Sequence, residues 1–479
     1  MFETGVRQFR LAMSMTWGRR INTDVLGAMV ADALATLAEF GEPGADVAQL
    51  VDGPFADPAV RRDFTDRAIR RTAKRLATRS PWFEARFSAA GIEPAKLDAD
   101  SVRRVPVMTK ADLTAHGREL LCGDAPTMST RTTGSTGRPA EVLMSRYEAE
   151  LWPALAALSG LLRDEIRPTD VMAVCISSRA TAAVQQNISV CRHVGAQVRV
   201  IGVIPPDEAL DALLGPAGAT LLATYPSYLA VLVTAARNRG LGPADFRLRR
   251  VDVGGEVLSP ALAAAARATL GAALVNDTFA MTEVLPVSGR SCSAGHLHHD
   301  LNTGLVEVIA LESGEPAKPG ELGTAVITPY FPYRECMPVF RYDTRDLVSP
   351  IAPENLACEL AAVPATSAIL GKASDLLVTP SGRSLHPRAI IEALESLPTD
   401  PWPVRYRADV ADERFVLTID TSTAGGLDAD GVMRHLAERG VDADIRVIPA
   451  AEAGTLRRVR ADLSETTFMQ PSTLVGVGG

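Results

Sequence analysis

VMAVCIS (171–177), QVRVIGV (197–203), TLLATY (220–225), LRRVDVGG (248–255) and AALVNDTF (272–279) are short apolar runs in one part of the chain. Each is the length of a buried strand, and stretches of helical patterning separate most of them. Buried strands alternating with helices predict α/β layers built on largely parallel sheets. Downstream, VEVIALESGEP and GELGTAVITP (304–329) alternate apolar and polar residues around turn residues, which predicts a more antiparallel sub-region. After Leu370 the pattern restarts as a small unit. LLVTPSGRSLHP predicts a hairpin turning at Ser381-Gly382, and PRAIIEALESL a helix opened by Pro387. VRYRADV, RFVLTIDTS and ADIRVIP predict strands, with a helix over DADGVMRHLAERG. Upstream, residues 60 to about 90 predict one basic amphipathic helix ending near Gly91. Residues 1–60 predict an alanine-rich helical extension. The fold class is therefore α/β: a large multi-sheet N-terminal domain (1–370) and a small α+β C-terminal domain (371–479).

Composition narrows the function. Of 479 residues, 22% are charged and the formal net charge is −8, which argues against a general nucleic-acid binder. Six cysteines scattered through a long chain do not form a secreted disulfide framework. The first twenty residues lack an apolar segment of secretory type, and the apolar stretch 25–37 is too short to span a bilayer. A cytoplasmic protein with no membrane partner is expected, and a homodimer is the ordinary prior. Arginine greatly outnumbers lysine, which occurs at Lys74, Lys96, Lys110, Lys318 and Lys372.

The strongest chemical element is Thr132-Thr133-Gly134-Ser135-Thr136-Gly137-Arg138-Pro139. Two glycines allow a tight turn whose N–H groups approach an anion, four hydroxyls add donors, and Arg138 adds charge. A polyphosphate needs such a cradle. A Ser/Thr/Gly-rich surface loop reads the same way in isolation. Further on stand Asp277-Thr278-Phe279-Ala280-Met281-Thr282-Glu283, then Arg341 to Asp346 (RYDTRD), then Gly371-Lys372-Ala373-Ser374-Asp375.

In order, these segments resemble the motifs of the adenylate-forming superfamily: a phosphate loop, an aromatic-x-x-Thr-Glu segment, a ribose-binding Asp segment and a hinge near 371–376. SPWF (80–83), VPVMTKADL (105–113), YPSY (225–228) and Gly254-Gly255-Glu256 are similar to the phenylacetate-CoA ligase and coenzyme F390 synthetase-like branch. The resemblance runs from about residue 61 to about 465 and implies an adenylating N-terminal domain with a mobile small domain. It implies that Thr132, Thr133, Gly134, Ser135, Thr136, Gly137 and Arg138 hold the phosphates of ATP. Gly255 and Glu256 would border the adenine site, Phe279 would lie against adenine with a ring face where the family often has Tyr, and Asp277 and Thr278 are further nucleotide-binding candidates. Thr282 would contact phosphate and Glu283 would hold Mg²⁺, which prefers oxygen ligands. Asp346 would accept from the ribose hydroxyls, with Lys372 in place of a ribose-contacting Arg.

The family's late lysine is missing. Thr455 stands at its place in GTLRRV (454–459), and no lysine follows Lys372. Three readings follow: Arg457 or Arg458 supplies the charge, other groups support the first step because the substrate is unusual, or the protein binds nucleotide without turnover. Ser374 also replaces a common acidic hinge residue. The lead reading is an AMP-forming ligase acting on a small aryl carboxylate, with CoA as the candidate acceptor. The second is an ATP-dependent diazotase acting on nitrite and an arylamine. Some relatives hold a structural zinc on a Cys, a His and a Cys-x-Cys before the hinge; Cys292, His298 and Cys358 match three of these places, and the second cysteine of the pair is missing. Cys336, His296 or His299 would complete a set of four. Gln185 and Gln186 are candidates for the acceptor pocket; His193 reads as a helix-end residue.

Overall fold

A computed structural model describes residues 6–7, 10, 14, 18–41, 57–131, 140–399 and 402–455. The helices are α1 (Thr23–Phe40), α2 (Pro58–Arg79), α3 (Pro81–Ala89), α4 (Lys110–His116), α5 (Arg146–Leu162), α6 (Thr181–Val194), α7 (Pro206–Leu213), α8 (Pro226–Asn238), α9 (Pro260–Leu270), α10 (Pro387–Glu395), α11 (Thr421–Ala424) and α12 (Ala429–Ala437). The strands are numbered β1 to β18 along the chain.

The five apolar runs form one side of an eight-stranded sheet, with β4 at its edge. They are β3 (Val171–Cys175), β4 (Gln197–Val200), β5 (Leu221–Thr224), β6 (Arg250–Gly254) and β7 (Leu274–Ala280), and they pair in parallel. Every residue of β5 is buried, as a strand covered by helices on both faces requires. Beyond β7 the sheet turns antiparallel through β8 (Ser288–Ser291), β9 (Leu297–His299) and β13 (Ala365–Thr366). The helices between the parallel strands are punctuated as their sequence dictates. Ser259 caps α9 by accepting from the Leu262 N–H, Pro260 follows it, and Gly271 ends the helix at φ 71°.

The 304–329 region is antiparallel, as expected. β10 (Gly304–Ala310), β11 (Gly323–Pro329) and β12 (Tyr342–Val348) form one three-stranded sheet. Register slips between Thr324 and Val326, leaving extra β12 residues opposite them, and Arg345 sits at φ 61° there. Such a bulge re-aims side chains. A smaller pair, β1 (Pro126–Arg131) with β2 (Glu141–Ser145), lies upstream.

The C-terminal unit contains the expected hairpin β14 (Leu377–Val378) and β15 (Ser384–Leu385), then β16 (Tyr406–Ala411), β17 (Arg414–Asp420) and β18 (Ala443–Ile448). Its core, built on Ile390, Ile391, Leu394, Leu417 and Leu436, also takes in Val257 from the large sheet's side.

One expectation fails. The basic segment 60–90 is two helices. Ser80 ends α2 and caps α3, and Pro81, which has no N–H to continue the α2 ladder, starts the second helix. Of the N-terminal extension, α1 packs against α5 and α6. No described helix is long and apolar enough to cross a membrane.

Candidate functional site

A cavity of about 400 Å³ opens at the C-terminal ends of the parallel strands, where α/β sheets place their ligands. Gly255, Glu256, Asp277, Thr278, Phe279, Thr282, Glu283, Asp346 and Lys372 all line it. Nine residues singled out across more than a hundred positions of sequence thus meet at one surface. Thr132 to Pro139, and Arg457 and Arg458, lie outside the described residues; Arg131, just before the glycine-rich segment, lines the cavity.

Two glycines and a strand register shape one wall. Gly254 pairs with Thr278, and a Cβ on Gly254 would meet the Thr278 carbonyl oxygen at 2.9 Å. Gly255 follows at φ 81°, a conformation L side chains rarely adopt. The Thr278 hydroxyl donates to Val253 O at 2.9 Å, so it serves the sheet. Glu256 accepts from the Ser227 N–H at 2.8 Å and thereby caps the start of α8. Phe279 is a largely buried part of the cavity wall, its ring edge-on to His299 at 5.6 Å. Asp277 pairs with Arg388 of α10 at 3.4 Å, and burial still pushes its carboxyl up to about 6.

The opposite wall comes from β12. The bulge turns Asp346 towards Lys372, which bonds its carboxylate at 3.0 Å and the Thr344 carbonyl at 3.0 Å. Asp346 and Lys372 also form an isolated β-bridge. Between the walls lies Glu283, buried, with its carboxyl raised by desolvation against the opposing pull of Lys372 and Lys110. A buried carboxylate beside Thr282 and open to the cavity fits a hard cation. Mg²⁺ commonly takes one or two protein carboxylates and completes its shell with water and phosphate oxygens.

Lys110 and Tyr342 also line the cavity; both stand in motifs, VPVMTKADL and RYDTRD, that gave neither a role. Lys110 opens α4 after the Thr109–Asp112 capping box. Its position is fixed by the preceding backbone: the Met108 N–H donates to Arg341 O at 2.8 Å, and the Asp343 N–H donates to Met108 O at 2.9 Å. The one signal available was the scarcity of lysine. Gln186 and Asn187 line the cavity from α6, near Ile176, Ala180, Ala183 and Ala223. Gln185 instead donates to Ser189. His193 ends α6, as read from sequence.

The second constellation is metal-like. Ligand atoms of Cys292, His296, His298 and Cys358 all lie within 4.8 Å of one another. Cys358 Sγ is 3.5 Å from His298 Nε2. His298 Nδ1 donates to Val363 O at 3.0 Å, which leaves the Nε2 lone pair for a metal. His296 Nδ1 is buried with no hydrogen-bond partner among the described residues. Two thiols and two imidazoles suit Zn²⁺. The set is completed by His296. His299 is turned to Phe279 and Thr366, fully desolvated and lowered to about 4, and Cys336 approaches Asp124 O instead.

The AMP-binding enzyme family matches residues 86–326, half of the chain. A phenylacetate-coenzyme A ligase of Aromatoleum evansii is 23% identical over 331 residues, covering 66% of this chain and 70% of that protein. Among solved structures, a 2-hydroxyisobutyryl-CoA ligase in its postadenylation state superposes with a TM-score of 0.70 at 18% identity, covering 85% of this chain and 92% of the other. The same enzyme in its thioesterification state gives 0.59 at 20% identity over 86% and 92%. With that family matching half of its length, the chain belongs to the AMP-binding enzyme family of adenylate-forming ligases.

Proposed function

We propose that the protein binds ATP·Mg²⁺ in this cavity and activates a small carboxylate, an aryl acid in the leading case, as its adenylate. A carboxylate oxygen attacks the α-phosphorus, the bond to the β-phosphate oxygen breaks, and pyrophosphate leaves. Both reactants are anionic, so the protein's work is positioning and charge neutralisation. The observation that carries this reading is the convergence on one cavity of Gly255, Asp277, Phe279, Glu283, Asp346 and Lys372 from β6, β7, β12 and the segment after it.

Roles follow from position. Asp277 and Phe279 address the base, and Asp346 accepts from the ribose hydroxyls with Lys372 holding it. Glu283 holds Mg²⁺, which, when bound, supplies positive charge to the phosphates. Lys110 and Arg131 add protein cations. Because no lysine follows Lys372, Lys110 and Arg131 stand beside Arg457 and Arg458 as sources of the charge that a late lysine would supply. The small alanines at 180, 183 and 223 leave room for a flat acyl group, and Gln186 and Asn187 offer it polar contacts. Residues 371–376 act as the hinge between domains 1–370 and 371–479. The better match to a postadenylation structure than to a thioesterification one supports a small domain seated as it is after adenylation and before transfer. CoA is the proposed acceptor in the second. Zn²⁺ is proposed for the four-residue cluster, in a structural role.

The missing late lysine keeps a diazotase reading in view, because nitrite activation dispenses with a carboxylate substrate. AMP release from ATP·Mg²⁺, followed by chromatography, separates the two. Pools of aryl acids and of nitrite plus arylamines are each supplied with and without CoA. AMP dependent on an aryl acid and raised by CoA is expected. AMP only with nitrite and an arylamine makes the protein a diazotase. ATP binding without AMP from any pool contradicts both.

A further inference from the structure

Arg388 lies in the first turn of α10, in the small unit beyond Gly371, yet its guanidinium is spent mostly on the large one. Nε donates to Ile369 O at 2.6 Å, Nη1 to Leu258 O at 2.9 Å, and Nη2 reaches Asp277 Oδ2 at 3.4 Å. One further bond, Nη1 to Glu392 at 3.0 Å, stays within α10. The side chain is 9% exposed. Leu258 continues the segment Gly254–Val257 that forms one edge of the cavity, and Asp277 stands on the neighbouring strand. A single cation from the small domain therefore ties together the two strand ends proposed to hold the base. It engages only one Asp277 oxygen; the other takes no hydrogen bond from the described residues.

We infer that Arg388 is a positioning residue for base recognition: seated with the small domain, it orients Asp277 so that the second carboxylate oxygen accepts from the exocyclic amine of adenine. This rests on the nucleotide reading above. The physical logic is compensation. Burial opposes the ionised form of Asp277, and Arg388 is the cation that counters it. When α10 rotates away, the carboxylate loses that cation and its fixed orientation, and the grip on the base loosens. Base affinity thereby tracks the position of the small domain.

The test uses the full chain and two nucleotides, ATP and inosine triphosphate, which carries an oxo group where adenine carries the amine. Binding of each Mg²⁺ complex is measured by titration calorimetry at pH 8, above the Asp277 titration. Wild type should favour ATP by roughly 10–100-fold, the range of one hydrogen bond to a charged group. Arg388→Ala should bring that ratio towards one by weakening ATP while leaving inosine triphosphate within about twofold. Arg388→Lys should recover part of the loss. In an Asp277→Ala background, Arg388→Ala should leave the ratio unchanged, which a merely structural role would not produce. If melting curves show Arg388→Ala to be unfolded, Arg388→Gln reads the same ratio. A wild-type ratio retained in the Arg388 variants, or the same loss in the Asp277→Ala background, overturns the inference. Wild type binding ATP without discriminating against inosine triphosphate overturns it alone. Wild type binding neither nucleotide overturns the proposed function with it.

Discussion

Glu283 is nearly sealed from water, and desolvation raises its carboxyl, yet it lines the cavity beside two lysines that favour its charged form. A carboxylate in that setting is costly to the fold and useful to a cation. Glu283→Ala should therefore lower Mg²⁺-dependent AMP formation by about 100-fold or more, the scale of removing one preorganised charge-stabilising group. Its melting temperature should hold or rise. Unchanged AMP release, measured alongside the melting curve, would contradict the metal role. Glu283, Asp277 and Asp346 were legible because each sits in a short contiguous motif. Lys110 also sits in a short motif, VPVMTKADL, but its role was not legible, because what brings it to the cavity is backbone pairing between Met108 and residues 341–343. No local pattern encodes a partner so far away. His296 was one of three candidates for the same reason: the turn from Cys292 to His296, closed by the Cys292 N–H donating to His296 O, decides which imidazole faces Cys358.

At the level of elements, the parallel strands were legible because a buried strand must be apolar throughout, and the antiparallel ones because they alternate. The break between α2 and α3 was written in Ser80-Pro81 but masked by a helical period that continues across it. The bulge in β12 left no trace in the sequence. The metal-like cluster joins β8, β9 and the segment before β13, and its turn lies between Ser291 and Leu297, both of which line the cavity. Purified protein should hold about one Zn²⁺ per chain by atomic emission. Dialysis against a chelator, or Cys358→Ser, should remove it and lower the melting temperature by several degrees. Metal-free protein with an unchanged melting curve would reduce the cluster to buried thiols and imidazoles.

For the whole molecule, the contact between the large and small units is partly electrostatic. Glu395, the last residue of α10, is buried near Ser259 and Glu256, and desolvation pushes its carboxyl up to about 8. A carboxyl raised in the folded state binds its proton more tightly there than when unfolded. Stability is therefore lost as pH rises from the unfolded value, about 4.3, towards 8. Melting temperatures of wild type should fall across that window relative to Glu395→Gln, by roughly a few degrees. Parallel curves for the two proteins would show that Glu395 is already ionised in the fold. The stitching of Met108 to Arg341 and Asp343 bears on how the protein is made. On the ribosome, residue 110 is synthesised long before the strand that seats it, and closing so large a loop is slow and entropically costly. The parallel sheet can gather while translation continues, but the cavity has no far wall until β12 has emerged. A stalled or truncated chain ending before residue 341 would hold the parallel strands but lack the far wall of the proposed nucleotide cavity. Catalytic competence is thus among the last things the growing polypeptide acquires.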